Sequence, residues 1–134
     1  MIMLTMDFHI PLLARKLMFR GEDGKLSLDK INAYYDGEPL RFVDRFPGLI
    51  WKVWAVSEDG RRGSGYYLFD CRENAELRAA YARKHFWRKG ITGLRIEYRT
   101  VLEDCSRATR APIDLPANPH GTAEERAALL RSKS

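Results

Sequence analysis

The stretch "PGLIWKVW", from Pro47 to Trp54, places bulky apolar side chains on both faces of one predicted strand. Successive side chains of a strand point to opposite faces. The two predicted faces are Leu49, Trp51, Val53 and Ala55 on one side and Ile50, Lys52, Trp54 and Val56 on the other. Neither face has the composition of a solvated surface. The strand therefore needs cover on both sides, and in a chain of 134 residues the second cover is expected from another molecule.

Three further segments have the alternation of half-buried strands. Residues 2–10 alternate between apolar and polar side chains and end at Pro11. The segment "SGYYLFD" follows the loop "EDGRRG" as the second arm of a hairpin, and "TGLRIEYRTVLED" alternates near the end of the chain. Residues 12–25 have no such period and are predicted as a loop or an irregular piece.

Two segments are predicted as helices. The first covers residues 26–46, with Ser27 as its N-cap, and Gly37 and Pro39 should kink or split it. The second begins at the capping box formed by Asp70 and Glu73 and stops at Gly90. The order β-α-β-β-α-β predicts an α+β fold of the ferredoxin-like type, with a four-stranded antiparallel sheet and both helices on one face. A homodimer packed sheet to sheet would cover the other face.

The second helix carries the most unusual local feature of the sequence. At 100° per residue, Arg78 falls between two apolar groups, which are Ala75, Ala79, Ala82 and Phe86 on one stripe and Leu77, Tyr81 and His85 on the adjoining arc. A charge among apolar neighbours either extends outward to solvent or points into a cavity.

Composition narrows the class of protein. The net charge is +5, and "RKHFWRKG" and "SRATRAP" are local basic clusters. Acidic residues are interleaved through most of the chain, and the sequence has no motif typical of nucleic-acid binding. Cys71 and Cys105 form no CxxC pair and are interpreted as free thiols in a reducing compartment. The N-terminus lacks the features of a signal peptide, and no apolar run approaches the roughly 20 residues that cross a bilayer. We expect a cytoplasmic protein that binds neither nucleic acid nor membrane.

The chain is predicted to be one domain, residues 1–114, with a C-terminal extension, residues 115–134. The extension begins proline-rich, and Thr122 with Glu125 offers another capping box for a short helix. Such a tail either wraps a partner subunit or frays.

Four segments, "PGLIWKVW", "GYYLF", "YARKH" and "SRATRAPID", resemble the YdhR-like family of proposed mono-oxygenases, which belongs to the dimeric α+β-barrel superfamily. The resemblance spans residues 4–114 and is strongest over residues 47–69 and at His85. It implies a dimer whose two sheets pack into a barrel, with a pocket in each subunit between sheet and helices. Related barrels host several activities, so the chemistry has to be argued from the site residues.

No metal or bound cofactor is expected. His9, His85 and His120 have no Asp, Glu or Cys at metal-ligand spacing, and no glycine-rich phosphate loop joins a strand to a helix. An oxygenase of this kind needs substrates that supply the electrons themselves, such as hydroquinones, polyphenols or anthrones that form stabilised anions.

Such a reaction requires a base and a cation or donor that holds the resulting oxyanion. The candidate catalytic residues are His85, Arg78 and Tyr81. The candidate substrate-binding residues are Trp51, Trp54, Tyr66, Tyr67, Tyr35, His9, Asp7 and Phe86.

Each of these candidate roles has an alternative, purely structural explanation. His85 could be a surface or interface histidine, and Arg78 could pair with a glutamate. The aromatic residues could be core or dimer-interface packing. Asp7 and His9 could form a buried ionisable pair or a salt bridge to Arg95 or Arg99.

The leading hypothesis is a cofactor-independent mono-oxygenase that acts on an aromatic or polyketide-like small molecule. A cyclase, isomerase or dehydratase would use the same acid-base group without oxygen. A non-catalytic module that binds or senses a small ligand is the third hypothesis, and haem degradation is the least favoured.

Overall fold

The computed structural model describes residues 1–119 and positions 128 and 131, without the side chains at positions 40, 41, 43 and 44. His120 and the predicted helix at Thr122 and Glu125 lie outside the described residues. The elements are β1 (Ile2–His9), α1 (Leu12–Ala14, continued by a π-helical turn Arg15–Phe19), α2 (Leu28–Tyr34), α3 (Glu38–Arg45), β2 (Leu49–Val56), β3 (Arg62–Phe69), α4 (Arg72–His85, continued by a 3₁₀ turn Phe86–Lys89), β4 (Thr92–Thr100) and α5 (Glu103–Ala108).

The four strands form one antiparallel sheet in the order β2-β3-β1-β4. This is the ferredoxin-like arrangement, and it confirms the predicted α+β fold. The core lies between the sheet and the helices, where α4 presents small side chains that allow a close approach. Its buried members are Leu4, Met6, Phe42, Phe46, Leu49, Tyr67, Phe69, Ala75, Ala79, Tyr81 and Ala82.

The helical region between β1 and β2 is split as the sequence indicates. The Ser27 hydroxyl accepts a hydrogen bond from the backbone N–H of Lys30 at 3.3 Å and caps α2. Gly37 adopts a left-handed conformation (φ 72°), and Pro39 lies in the first turn of α3. The chain therefore breaks one predicted helix into two at these residues.

Residues 12–19, which were predicted as a loop or an irregular piece, contain helical structure. They form α1 and its π-helical turn, and Phe19 at the end of the turn is buried with Ile10 and Ile31 in a second cluster. Contacts with distant residues stabilise this helical piece, so its own residue pattern does not reveal it.

The start of α4 lies two residues after the predicted capping residue. Cys71 occupies the N-cap position without a side-chain cap, and the Asp70 carboxylate accepts a hydrogen bond from Asn74 Nδ2 at 2.9 Å. At the other end, Gly90 (φ 74°) terminates the 3₁₀ turn, as predicted.

A β-bulge in β2 changes the predicted faces of this strand. Leu49 pairs with Phe69, but Trp51 pairs with Leu68, so one extra residue lies between the two pairs. Leu49 is therefore buried on the helix side, and its predicted location on the face of Trp51 was wrong. After the bulge, Lys52 pairs with Tyr67 on the helix side.

The Pro-Gly pair that precedes β2 makes a specific junction. Gly48 has a left-handed backbone (φ 74°), and a Cβ atom there would collide with the side chains of Asp70 and Asn74. Its N–H donates to the Asn118 carbonyl, and its carbonyl accepts from the Asp70 N–H, both at 3.0 Å. Only glycine meets both requirements, so this junction explains the second residue of "PGLIWKVW".

The described beginning of the C-terminal extension contacts its own subunit. The Asn118 backbone N–H donates to the Leu49 carbonyl, and Asn118 Nδ2 donates to the Phe46 carbonyl, both at 2.9 Å. The domain boundary at residue 114 and contact of the extension with a partner subunit stay predictions. Within the described residues, no helix combines the length and apolar character needed to cross a bilayer.

Candidate active site

Arg78 points from α4 into the core and is only 3% exposed. Its Nη2 donates to the Tyr67 hydroxyl at 3.0 Å, and its Nε has no hydrogen-bond partner among the described residues. Aromatic rings surround the guanidinium, with ring centroids 4.9–5.8 Å from its central carbon; they belong to Phe42, Phe46, Tyr67, Tyr81 and Phe86. Within the described part of the chain no carboxylate pairs with Arg78, so the alternative of a glutamate partner is not found. We call Arg78 and these five rings, together with Lys52 and Trp54, the basic-aromatic cluster.

Gly65 allows Tyr67 to reach Arg78. The two residues lie on the same face of β3, and a Cβ atom at Gly65 would lie 2.6 Å from the Tyr67 hydroxyl oxygen. Without a side chain at Gly65, the Tyr67 ring can lie along the strand. Gly65 of "GSGYYLF" thus has a direct role in positioning the phenol.

Lys52 enters the same cluster from β2. Its Nζ lies 3.3 Å from the ring centroid of Trp54, 4.0 Å from that of Phe42 and 5.0 Å from that of Tyr67. Burial, and after it the charge of Arg78, lower the Lys52 pKa from its usual value to about 6. At neutral pH the amine is therefore mostly uncharged and can accept a proton.

The Lys52 end of the cluster reaches the surface. Lys52 is half-buried, Trp54 is 36% exposed, and the Tyr35 ring packs on Trp54 with centroids 5.1 Å apart. Burial raises the Tyr35 pKa to about 12, so its phenol remains protonated at physiological pH. Arg78 lies behind this edge, farther from solvent.

His85 is buried one turn beyond Tyr81 and is only 1% exposed. Its ring packs against the Tyr81 ring at a centroid distance of 4.3 Å, and neither ring nitrogen has a partner among the described residues. Burial is the main cause of a lowered His85 pKa, and the nearby cations Arg88, Lys84, Lys89 and Arg45 lower it further. The imidazole is therefore neutral at pH 7, and it is not a surface residue of the subunit.

Tyr81 lies between the other two candidates. Its ring is within 5.8 Å of the Arg78 guanidinium carbon, and its hydroxyl accepts a long hydrogen bond of 3.4 Å from Arg45. Seven residues separate Arg78 from His85, which corresponds to about 10 Å along a helix axis. The structure thus aligns the three candidates in one row along α4.

The candidate substrate-binding residues divide between the two faces of the sheet. Tyr67, Trp54, Tyr35 and Phe86 lie on the helix side, around or beside the basic-aromatic cluster. By strand alternation Trp51 and Tyr66 lie on the opposite, open face. Only one tryptophan of "PGLIWKVW" faces the helices, and it is Trp54.

Asp7 and His9 form neither of the two predicted arrangements. The Asp7 carboxylate accepts a hydrogen bond from the Ser64 hydroxyl at 2.6 Å, and His9 is exposed at the end of β1. Arg95 and Arg99 both pair with Glu97, with nitrogen–oxygen distances of 2.6 Å. Arg95 and Arg99 thus pair with Glu97 on their own strand, β4, instead of with Asp7 on β1.

Three members of the cluster were not among the predicted site residues. Lys52 stands between two tryptophans in the sequence, and a lysine on an otherwise apolar strand face is a signal that could have identified it. Phe42 lies on α3 and Phe46 is the C-cap of that helix, and the packing of α3 over Lys52 and Arg78 depends on the tertiary fold.

A surface groove of about 410 Å³ lies between the end of α4 and β4. It is lined by Arg83, Phe86, Trp87, Ile91, Thr92, Gly93, Leu94 and Ile96, of which only Phe86 was a predicted site residue. Among the described residues there is no group of three or more His, Cys, Asp and Glu side chains that could hold a metal ion. The predicted pocket between sheet and helices stays a prediction.

The fold and the cluster define the class of protein: an α+β protein of the ferredoxin-like type with a basic-aromatic cluster between its sheet and its helices. The chain belongs to the family described as "Putative mono-oxygenase ydhR", whose model matches residues 40–112. This match confirms the resemblance, and it includes Lys52, Arg78 and His85. No curated protein matches the chain significantly.

Proposed function

We propose that the protein is a cofactor-independent mono-oxygenase that oxidises an electron-rich aromatic or polyketide-like molecule between its sheet and its helices. One observation carries the proposal: Arg78 and His85 are almost wholly buried on one helix, yet both have nitrogens without a hydrogen-bond partner among the described residues. Most buried polar groups in folded proteins do have partners. A bound substrate would supply them here, and the family description supports the mono-oxygenase class.

The chemistry begins with removal of a proton from the substrate. The neutral His85 imidazole accepts a proton from an activated CH₂ group, and Arg78 stabilises the negative charge that develops on the adjoining oxygen. The anion transfers one electron to dissolved O₂, and the radical and superoxide combine into a peroxide that the imidazolium protonates. Loss of water leaves a ketone, so that R₂CH₂ and O₂ give R₂C=O and H₂O. The substrate supplies all the electrons, so no bound cofactor is required.

The test is oxygen uptake by the purified protein with a panel of hydroquinones and anthrones, without added metal or flavin. We expect enzyme-dependent uptake that falls by about 10²–10⁴-fold in His85→Ala, the usual contribution of an acid-base residue. The matched control is Arg83→Ala on the exposed side of the same helix, which should keep wild-type activity.

Two outcomes would contradict the proposal. Wild-type protein that consumes no oxygen but rearranges the substrate without a change in mass would be a cyclase or isomerase. Protein that binds the substrate without turnover would be a ligand-binding module.

We also propose a homodimer that packs through the open face of the sheet, as the resemblance implies. Val53 is 50% exposed and Tyr66 37% exposed on this face, and the two residues pair across β2 and β3. Apolar and aromatic side chains of this kind favour an interface. A second subunit would then cover the face that the helices leave open.

We also propose a reducing, cytoplasmic location for the protein. The free cysteines Cys71 and Cys105 are consistent with this location.

Sedimentation analysis tests the dimer. We expect a dimer for the wild type and a monomer for Val53→Glu, because a buried unpaired carboxylate opposes association. Leu13→Glu, at an exposed apolar residue of α1, is the control and should remain dimeric. A monomeric wild type at micromolar concentration would refute this part of the proposal.

A further inference from the structure

Two basic side chains converge on the same two aromatic rings. The Arg78 guanidinium carbon lies 5.0 Å from the ring centroid of Phe42 and 5.2 Å from that of Tyr67, while Lys52 Nζ lies 4.0 Å and 5.0 Å from them. Within the described residues, neither basic group forms an ion pair. The exposed arginines Arg72 and Arg107 behave differently, since each pairs with at least one carboxylate.

The absence of a carboxylate partner for these two groups has an energetic consequence. A buried guanidinium without a counter-ion loses its hydration and gains only weak attraction from ring faces. A second basic group close to it adds repulsion whenever both are charged. An anion placed between them would relieve both costs, and the surrounding rings would pack against a flat apolar body attached to that anion.

We propose that the basic-aromatic cluster binds an aromatic monoanion, a carboxylate or an ionised phenol or enol on a planar ring system. The ligand enters at the exposed edge beside Trp54, and its charged group lies between Lys52 and Arg78. The inference rests on the proposed function only in taking this cluster as the substrate site. It defines the substrate class that the proposed function leaves open.

The surroundings of Lys52 give the sign of the pH dependence. Its pKa of about 6 reflects burial first and Arg78 second, while Glu38 on α3 raises it and Lys89 lowers it. The Tyr67 hydroxyl in the cluster and the Tyr35 hydroxyl beside Trp54 are the phenols on this side. An arriving anion favours the charged amine, so it raises the Lys52 pKa. Binding should therefore tighten as the pH falls from 8 to 6.5, where an ordinary carboxyl group (pKa about 4) stays ionised.

Calorimetric titration of the protein with 2-naphthoate, and with the neutral 2-naphthamide for comparison, tests this inference. We expect naphthoate to bind at least about tenfold more tightly than the amide, and about tenfold more tightly at pH 6.5 than at pH 8. Titrations at pH 7 in buffers of different ionisation enthalpy should show proton uptake. A second arm with 4-nitrophenol, followed by its phenolate absorbance, tells whether carboxylates or ionised phenols bind better.

Variants distinguish anion binding at the basic-aromatic cluster from a general effect of the protein's positive charge. Lys52→Met should abolish the proton uptake and the pH dependence, whereas Lys52→Arg should bind naphthoate equally at both pH values. Lys16→Met, at an exposed lysine of the π-helical turn, should behave as the wild type. If Lys52→Met does not fold, the Lys52→Arg titration alone decides.

Equal affinity for naphthoate and naphthamide, or no binding of either anion by folded wild-type protein, would overturn the inference. So would a pH dependence that persists in Lys52→Arg. Oxygen uptake without anion binding would leave the proposed function standing and remove this inference. Anion binding without oxygen uptake would support this inference and contradict the proposed mono-oxygenase function.

Discussion

Arg78→Met is expected to abolish oxygen uptake and to leave the protein at least as stable as the wild type. The substitution removes the group that holds the substrate oxyanion, and loss of such a donor typically costs about 10²–10³-fold in rate. It also removes a buried charge that has no carboxylate partner among the described residues, and methionine retains most of the apolar volume. Thermal unfolding and oxygen uptake, measured on the same preparation, test the two effects together.

The balance of energies gives the direction of the stability change. The hydrogen bond from Arg78 to the Tyr67 hydroxyl contributes about 1 kcal/mol, whereas an apolar replacement of buried charged groups is often neutral or stabilising by about 1–4 kcal/mol. The control is Arg72→Met on the exposed side of α4. Its salt bridge to Glu76 contributes less than about 1 kcal/mol, so neither activity nor stability should change greatly. A strongly destabilised Arg78→Met, or one with full activity, would indicate a purely structural arginine.

Gly48→Ala is expected to destabilise the protein far more than Gly24→Ala. Both glycines have the same left-handed backbone, with φ of 74° and 76°, so both substitutions cost about 1–2 kcal/mol for the conformation. A Cβ atom at Gly24 has no neighbour within 4 Å, whereas at Gly48 it would collide with Asp70 and Asn74. We expect an additional loss of at least about 2 kcal/mol at Gly48, because the new methyl group must displace the buried Asn74 side chain and its hydrogen bond to Asp70.

Urea unfolding of the two variants measures this difference. The backbone conformation is the same at Gly48 and Gly24, so the difference between the two losses of stability measures the cost of the collision alone. Equal losses of stability would show that the junction between Gly48, Asp70 and Asn74 relaxes easily. A selective loss at Gly48 would establish that this junction positions the beginning of β2, three residues before Lys52.

Much of the fold could be predicted from local patterns. The alternation in β1, β3 and β4, the Ser27 cap, and the breaks at Gly37 and Gly90 each depend on a few neighbouring residues. The apolar stripe of α4 drew attention to Arg78 and His85 but left open whether they point inward, and the structure shows both buried. The helical conformation of residues 12–19 could not be predicted, because the segment has no helical period of its own; in the structure Phe19 packs with Ile10 and Ile31.

The sequence by itself determined the order of the elements, the ferredoxin-like sheet and the face of α4 that carries the candidate site, since periodicity and capping are local properties of the chain. Only the tertiary structure decided which of these side chains meet. The bulge after Leu49 sets the face of Lys52, and α3 brings Phe42 over both Lys52 and Arg78. A bulge and a helix-to-sheet contact involve residues far apart in the chain, and a spacing rule for one strand or one helix contains no information about them.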